Sequence, residues 1–239
     1  MGAQWKHAGR IENSNKRGAM ISKLVKEITV ATKAGDPHPE NNARLRTAIE
    51  DAKKHSVPRD TIERAIKKGA GLLSGEAQYE SVFYEGFAPH RVPVIVECLT
   101  DNKNRTAAEI RVLFRKGHLE SIGSVTWMFD RLGIIQASIA KAGVDAEEAA
   151  IEAGAQNVEA LEADVLAPGH SGAWFYCDPT DLDKVSKALV QFGWTLKQSE
   201  IGFMAKSRVA LNEEQTKEVS DFLNAIDDDE DVHRVYAGI

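Results

Sequence analysis

The chain has 239 residues, 43% of them apolar and 28% charged, enough for a packed core spread over one to three domains. Its net charge of −6 hides a division: residues 1–71 carry 15 Lys and Arg against 8 Asp and Glu (+7), and residues 72–239 carry 15 against 28 (−13). No apolar run approaches the ~20 residues of a membrane span, and no secretory or myristoylation signal is read at the N-terminus, so a cytoplasmic protein without a membrane partner is expected.

Residues 1–15 have no apolar period and read as an arm carrying Trp5, Lys6, His7 and Arg10. From Ser14 to Ala34 the chain turns helical, with Ile21, Leu24, Val25 and Ile28 at i, i+3, i+4, i+7 and Gly35-Asp36-Pro37 as the stop. Arg44–His55 is predicted as a second helix. A third has Pro58 at its first position, Ile62, Ala65 and Ile66 as its stripe, and Gly69 as its end. These make a basic three-helix domain over residues 1–76. The period then changes to that of strands. Val92–Leu99 reads as a buried strand, and Thr106–Glu109 as a capping box opening a helix to about Lys116. Ser124–Phe129 and Gly133–Ala137 are predicted as short strands around a turn. Asp145–Gly154 is read as a helix, Gln156–Leu161 and Ala173–Cys177 as strands, and Pro179–Phe192 as a helix. Thr195–Ala205 is a further strand, Asn212–Ile226 a helix and Val232–Tyr236 a last strand. The class is α+β: an N-terminal helical domain, then two small α+β units. Residues 77–136 with 208–239 form the first, in β-α-β-β-α-β order, and 137–207 the second, inserted in it. Cys98 and Cys177 sit in strand-like runs and read as buried free thiols.

A basic end on an acidic chain points to a polyanion, and nucleic acid is the commonest; the plainer reading is a basic face on which the acidic body docks. At 100° per residue Lys16, Lys23, Lys26 and Lys33 share one sector of the first helix, apart from its apolar stripe. Arg64, Lys67 and Lys68 stand opposite Ile62 and Ile66 in the third. Two such stripes and the arm make a candidate phosphate-contacting surface. Trp5 has two readings, a stacking platform for a base or a lid on the domain's own core. Lys103 and Arg105, in the loop Asp101–Thr106, either hold a phosphate at a helix N-terminus or flank turn and cap hydrogen bonds. The seven histidines form no metal-ligand spacing, no nucleophile or nucleotide fingerprint is present, and no cofactor is expected. The acidic run Asp227–Asp231 lacks the spaced ligands of a calcium loop and reads as a solvated helix end.

Taken together, these residues resemble the YebC family over nearly the whole chain. Trp5-Lys6-His7 is similar to that family's Lys-Trp start. Lys16-Arg17-Gly18 with Lys23-Leu24 and Glu27-Ile28 is similar to its first helix, Asn42-Ala43-Arg44-Leu45-Arg46 to its Asn-Pro-Arg-Leu-Arg, and Ile62–Gly71 to its Arg-Ala-Ile-Lys-Lys-Gly stretch. Val96–Thr106 follows the family pattern over eleven successive positions, and Asp228–Tyr236 resembles the closing segment. The resemblance implies a helical domain followed by two ferredoxin-like α+β domains, one inserted in the other. It also implies a non-enzymatic, nucleic-acid-binding regulator of gene expression. Family members are described as DNA-binding transcriptional regulators; others, with a mitochondrial relative that activates translation of cytochrome c oxidase, act on translation or associate with the ribosome and its RNA. Carried onto this chain, Arg17, Arg44 and Arg46 join the candidate surface. An adaptor working through its acidic body is the reading from another class. Two loops depart from the family's glycine-rich pattern, Ala88-Pro89-His90-Arg91 and Lys116–Val125.

Overall fold

The computed structural model describes residues 14–73, 79–162 and 166–239, so Trp5, Lys6, His7 and Arg10 lie outside the described residues. Helices α1 (Ser14–Ala34), α2 (Ala43–Lys54) and α3 (Arg59–Gly69) fall where the apolar spacing puts them. Asn42 caps α2, its Oδ1 accepting from the Leu45 amide at 3.0 Å. Pro58 stands at the N-cap of α3, one residue before the expected place. Gly69 is required by packing, beyond any role as a stop. A Cβ there would come within 2.3 Å of the Thr29 carbonyl oxygen and 2.7 Å of Thr32 Cβ, so α3 crosses α1 too closely for any side chain.

The first sheet holds β1 (Glu80–Ala88), β2 (Val92–Thr100), β3 (His118–Leu119) and β8 (Val232–Ala237) in the antiparallel order β3-β1-β2-β8. Helices α4 (Lys103–Leu113), with the 3-10 turn that follows it, and α7 (Glu213–Asp227) cover one face: Ile110, Phe114, Phe222, Leu223 and Ile226 pack against Val94, Val96, Cys98 and Val235. On the other face Ile95 and Tyr236 pack with Val125 and Phe129. Helix α1 also packs on β2. Covered on both sides, β2 is buried along its whole length. The sequence reading assigns no strand to Glu80–Ala88, where Glu85 and Gly86 interrupt the apolar pattern. β2 recruits this segment through an unbroken register from Glu80↔Thr100 to Ala88↔Val92. The expected β-α-β-β-α-β order is therefore permuted, because the strand lying between β2 and β3 precedes them in the chain.

Three local expectations change. The helix after β2 begins at Lys103, with Asn102 as its cap, accepting from the Arg105 amide at 3.2 Å; Thr106 lies inside it and is fully buried. That helix ends at Leu113, followed by a 3-10 turn at Phe114–Lys116. Ser124–Met128 is a loop and 3-10 turn rather than a strand, and Gly133–Ala137 is the middle of one long strand, β4 (Phe129–Ile139).

The second sheet is formed by β4, β5 (Asn157–Ala160), β6 (Ser171–Cys177) and β7 (Thr195–Ala205), in the order β5-β6-β4-β7. With α5 (Ala146–Ala153) after β4 and α6 (Leu182–Gln191) after β6, the chain order here is β-α-β-β-α-β, the ferredoxin-like arrangement. Its core centres on Phe175, whose ring meets Trp194 edge-on at 5.1 Å. Cys98 and Cys177 are free and buried, and burial pushes both thiols up, Cys177 to about 11. Among the described residues, those up to Ala34, Asp51–Asp130 and Phe203–Ile239 form one compact unit, and Gly35–Glu50 with Arg131–Gly202 form another.

Candidate nucleic-acid interface

On α1 the cationic stripe divides. Lys26, with its side chain 9% exposed, places Nζ 2.8 Å from Asp231 Oδ1, and Asp231 is itself 3% exposed. The same ammonium donates to the Glu230 carbonyl oxygen at 3.0 Å, and Lys23 donates to the Asp227 carbonyl oxygen. Asp231 Oδ2 accepts from Arg105 Nη2 at 2.7 Å, Thr106 Oγ1 at 2.8 Å and Thr100 Oγ1 at 3.2 Å. Burial alone would raise the Asp231 pKa; the hydrogen bonds from Lys26, Arg105 and Thr106 outweigh it and hold the carboxyl at about 2. The helix-end reading of the acidic run holds for Asp227–Glu230, which are half-buried or exposed at the end of α7, and fails at Asp231, which is a buried hub. Lys26 leaves the candidate surface for the same reason, and Lys23, half-buried, directs its ammonium to the Asp227 carbonyl oxygen. A helical wheel shows which residues share a face, but it cannot show that an acidic strand end will lie against that face.

A second buried network runs alongside. Glu27 Oε2 lies 2.8 Å from His233 Nε2, and its Oε1 lies 3.5 Å from Arg234, which in turn reaches Glu97 at 3.2 Å. Ser81 Oγ donates to the other oxygen of Glu97 at 3.0 Å. Thus α1 is joined to the first sheet by ion pairs at consecutive positions, Lys26 and Glu27.

The remaining candidates are distributed as follows. Lys33, Arg64 and Lys67 are exposed on α1 and α3. Lys68 is half-buried, its Nζ 4.7 Å from the centre of the Tyr79 ring. Lys16 and Arg17 lie in the first turn of α1. Arg44 and Arg46 are half-buried on α2, and Arg46 Nη1 donates to the Pro39 carbonyl oxygen at 3.3 Å. Lys103 pairs with Glu80 at 2.8 Å on the surface, and Arg105 divides itself between Asp231 and Asp101. The loop Asp101–Thr106 thus follows its turn-and-cap reading, with both of its cations bound to carboxylates.

A feature the sequence reading missed surrounds Glu85, buried at 3% exposure on β1. Its carboxylate accepts from the Gly123, Val125 and Thr126 amides, each at 2.8 Å. Burial pushes this carboxyl up, but the amide hydrogen bonds outweigh it and hold it below the usual range. The clamped loop carries Ile122 at 86% exposure and Trp127 at 67%, and the indole donates to the Ser124 carbonyl oxygen at 2.9 Å. A charged residue inside an otherwise strand-like segment is the signal that could have found Glu85. Among the described residues no group of three or more His, Cys, Asp or Glu is placed to hold a metal, and no helix is long and apolar enough to cross a membrane.

The family model described as the TACO1/YebC protein N-terminal domain matches residues 3–72, and the one described as the TACO1/YebC second and third domain matches residues 79–239. The chain belongs to the TACO1/YebC family. It is 53% identical over 241 residues to a "Probable transcriptional regulatory protein" of Pseudomonas syringae pv. tomato, covering 100% of this chain and 99% of that one. A Bdellovibrio bacteriovorus protein of the same description is 48% identical over 242 residues, with 100% of both chains covered. The crystal structure of a conserved hypothetical protein from Aquifex aeolicus superposes with a TM-score of 0.81 at 42% identity, covering 99% of this chain and 95% of that one. Within the TACO1/YebC frame, the segment Val96–Thr106 supplies Thr100, Arg105 and Thr106 to Asp231. The closing segment Asp228–Tyr236 supplies Asp231 itself. These two family-like stretches meet in a structural hub.

Proposed function

We propose that this chain is a non-enzymatic, nucleic-acid-binding regulator of gene expression that acts in the cytoplasm as a DNA-binding transcriptional regulator of the YebC type. The observation that carries the reading is the positive charge exposed at the surface of the helices. Lys33, Arg64 and Lys67 stay at the surface of a segment with a net charge of +7, on a chain otherwise at −13. The description borne by the relatives supports the same reading. Phosphate contacts of this kind position a nucleic acid without reading its sequence. The same cations would therefore serve ribosomal RNA, and a ribosome-associated translation factor is the second reading. In either case contact would run through Arg64 and Lys67, with Arg17, Arg44, Arg46 and the arm residues Trp5, Lys6, His7 and Arg10 in support.

The test is binding of the full chain to duplex DNA and to ribosomal RNA fragments across a salt series. Each phosphate contact contributes about −0.9 to the log–log slope on duplex DNA, so Arg64→Ala with Lys67→Ala should flatten it by about 1.8. An unchanged slope and affinity in that variant, on both nucleic acids, would remove these cations from the interface.

A further inference from the structure

The turn joining β1 to β2 holds two side chains in backbone conformations that disfavour them. His90 and Arg91 have φ of 60° and 58°, in the left-handed region that favours glycine. Both line a cleft of about 430 Å³, and Lys116 and His118 line it too. The two segments are pressed together at Gly117, where a Cβ would come within 2.3 Å of the Phe87 carbonyl oxygen. The cleft thus unites the two loops whose sequences depart from the family's glycine pattern.

The charges there are unevenly matched. Glu218 of α7 meets His90 Nε2 at 2.8 Å, and Glu120 lies 3.6 Å from His118 Nε2, so each nearby carboxylate has an imidazole of its own. Among the described residues, Arg91 and Lys116 have no carboxylate within ion-pair distance. The Arg91 guanidinium is exposed and lies over the Phe87 ring, 5.8 Å from its centre, and among the described residues no hydrogen-bond partner meets its N–H groups.

We propose that this cleft is a phosphate-binding site, in which Arg91 and Lys116 hold the oxygens of a phosphate monoester or diester, with His90 and His118 beside them. A guanidinium fork suits two oxygens of one phosphate, and an ammonium adds a point charge; together they explain why the turn keeps an arginine where its backbone favours glycine. The site uses none of the exposed helical cations and does not rest on the proposed function.

The experiment titrates the full chain with inorganic phosphate, against chloride at equal ionic strength, and with a short single-stranded RNA. Phosphate should shift the amide resonances of His90, Arg91 and Lys116 saturably, and chloride should not. Arg91→Gly with Lys116→Gln should weaken phosphate binding by about tenfold or more. The same variant should not unfold at a lower temperature, since glycine relieves the left-handed turn. If RNA affinity falls in parallel, the phosphate belongs to a nucleic-acid backbone; if RNA affinity is unchanged, the site serves a small phosphorylated ligand. Absence of a saturable shift, or shifts that persist in the double variant, would overturn the proposal.

Discussion

Asp231→Ala tests the buried hub most directly. The carboxylate receives two charged donors, Lys26 at 2.8 Å and Arg105 at 2.7 Å, and two hydroxyl donors. Arg105, its side chain 46% exposed, can turn to water when its partner is removed, and contributes little. Lys26, 9% exposed, cannot, and its ammonium is left where water barely reaches. Removing one partner of a buried pair costs roughly 3–5 kcal/mol, which for a protein of this size lowers the unfolding temperature by roughly 6–20 °C. The loss should be local to the first sheet. The Leu99 amide, which donates to the Asp231 carbonyl oxygen at 2.8 Å, should lose hydrogen-exchange protection while the Phe175 amide of the second sheet keeps it. The pH dependence has a definite sign. The Asp231 carboxyl lies at about 2, below the ordinary aspartate value of 3.8, so its contribution is fully present above about pH 4 and is lost as pH falls through about 2. Asp231→Asn should therefore lose roughly 2 kcal/mol relative to the parent at pH 7, and the gap should close on acidification. Lys26→Met added to Asp231→Asn should recover part of the loss, because the stranded ammonium is gone. A change below about 1 kcal/mol for Asp231→Ala at pH 7 would refute the argument that this carboxylate holds α1 to the sheet.

Three further outcomes follow from the geometry. Glu85→Gln should raise amide exchange at Val125 and Thr126 by about tenfold to a hundredfold at pH 7, since charged hydrogen bonds contribute about 1.5–3 kcal/mol each; unchanged protection would mean the loop holds itself. With the Glu85 carboxyl held below its usual range, that protection should persist through mildly acid pH and fade only as pH drops below the ordinary carboxylate value. Gly69→Ala, which puts a methyl group within 2.3 Å of the Thr29 carbonyl oxygen, should cost about 1–3 kcal/mol in thermal unfolding, whereas a helical Gly→Ala change in open space would stabilise. Asn102→Ala should cost about 0.5–2 kcal/mol through loss of the α4 cap, seen as a lowered urea midpoint with an unchanged slope.

The internal pairing of α1 also changes how function can be dissected. Deleting residues 1–71 would take Lys26 from Asp231 and Glu27 from His233 and Arg234, breaking both buried networks and leaving Asp231 with Arg105 and Arg234 with Glu97 as their remaining partners. Such a truncation would confuse lost binding with lost folding, so single surface changes such as Arg64→Ala are the cleaner probe.

Local physical signals in the chain determined most of the elements. Apolar periodicity set α1 to within its observed ends, turn residues set the breaks around α2 and α3, and the β-branched run set β2. The α+β class and the family resemblance followed from the same residues. What tertiary structure alone decided is everything that depends on a distant partner. The segment Glu80–Ala88 becomes a strand because β2 offers it an unbroken register, though Glu85 interrupts its pattern. Thr106 becomes a buried ligand of Asp231 rather than a cap, because Asn102 already serves the helix start. Lys26 reads as a surface cation in one dimension and is buried in three, because Asp231, 205 positions away, arrives against it. Charge pattern along a chain records how many ions there are and on which helical face they lie. Whether an ion meets water or a buried counter-ion is settled only when remote segments pack, since the desolvation that distinguishes the two exists only in the folded state.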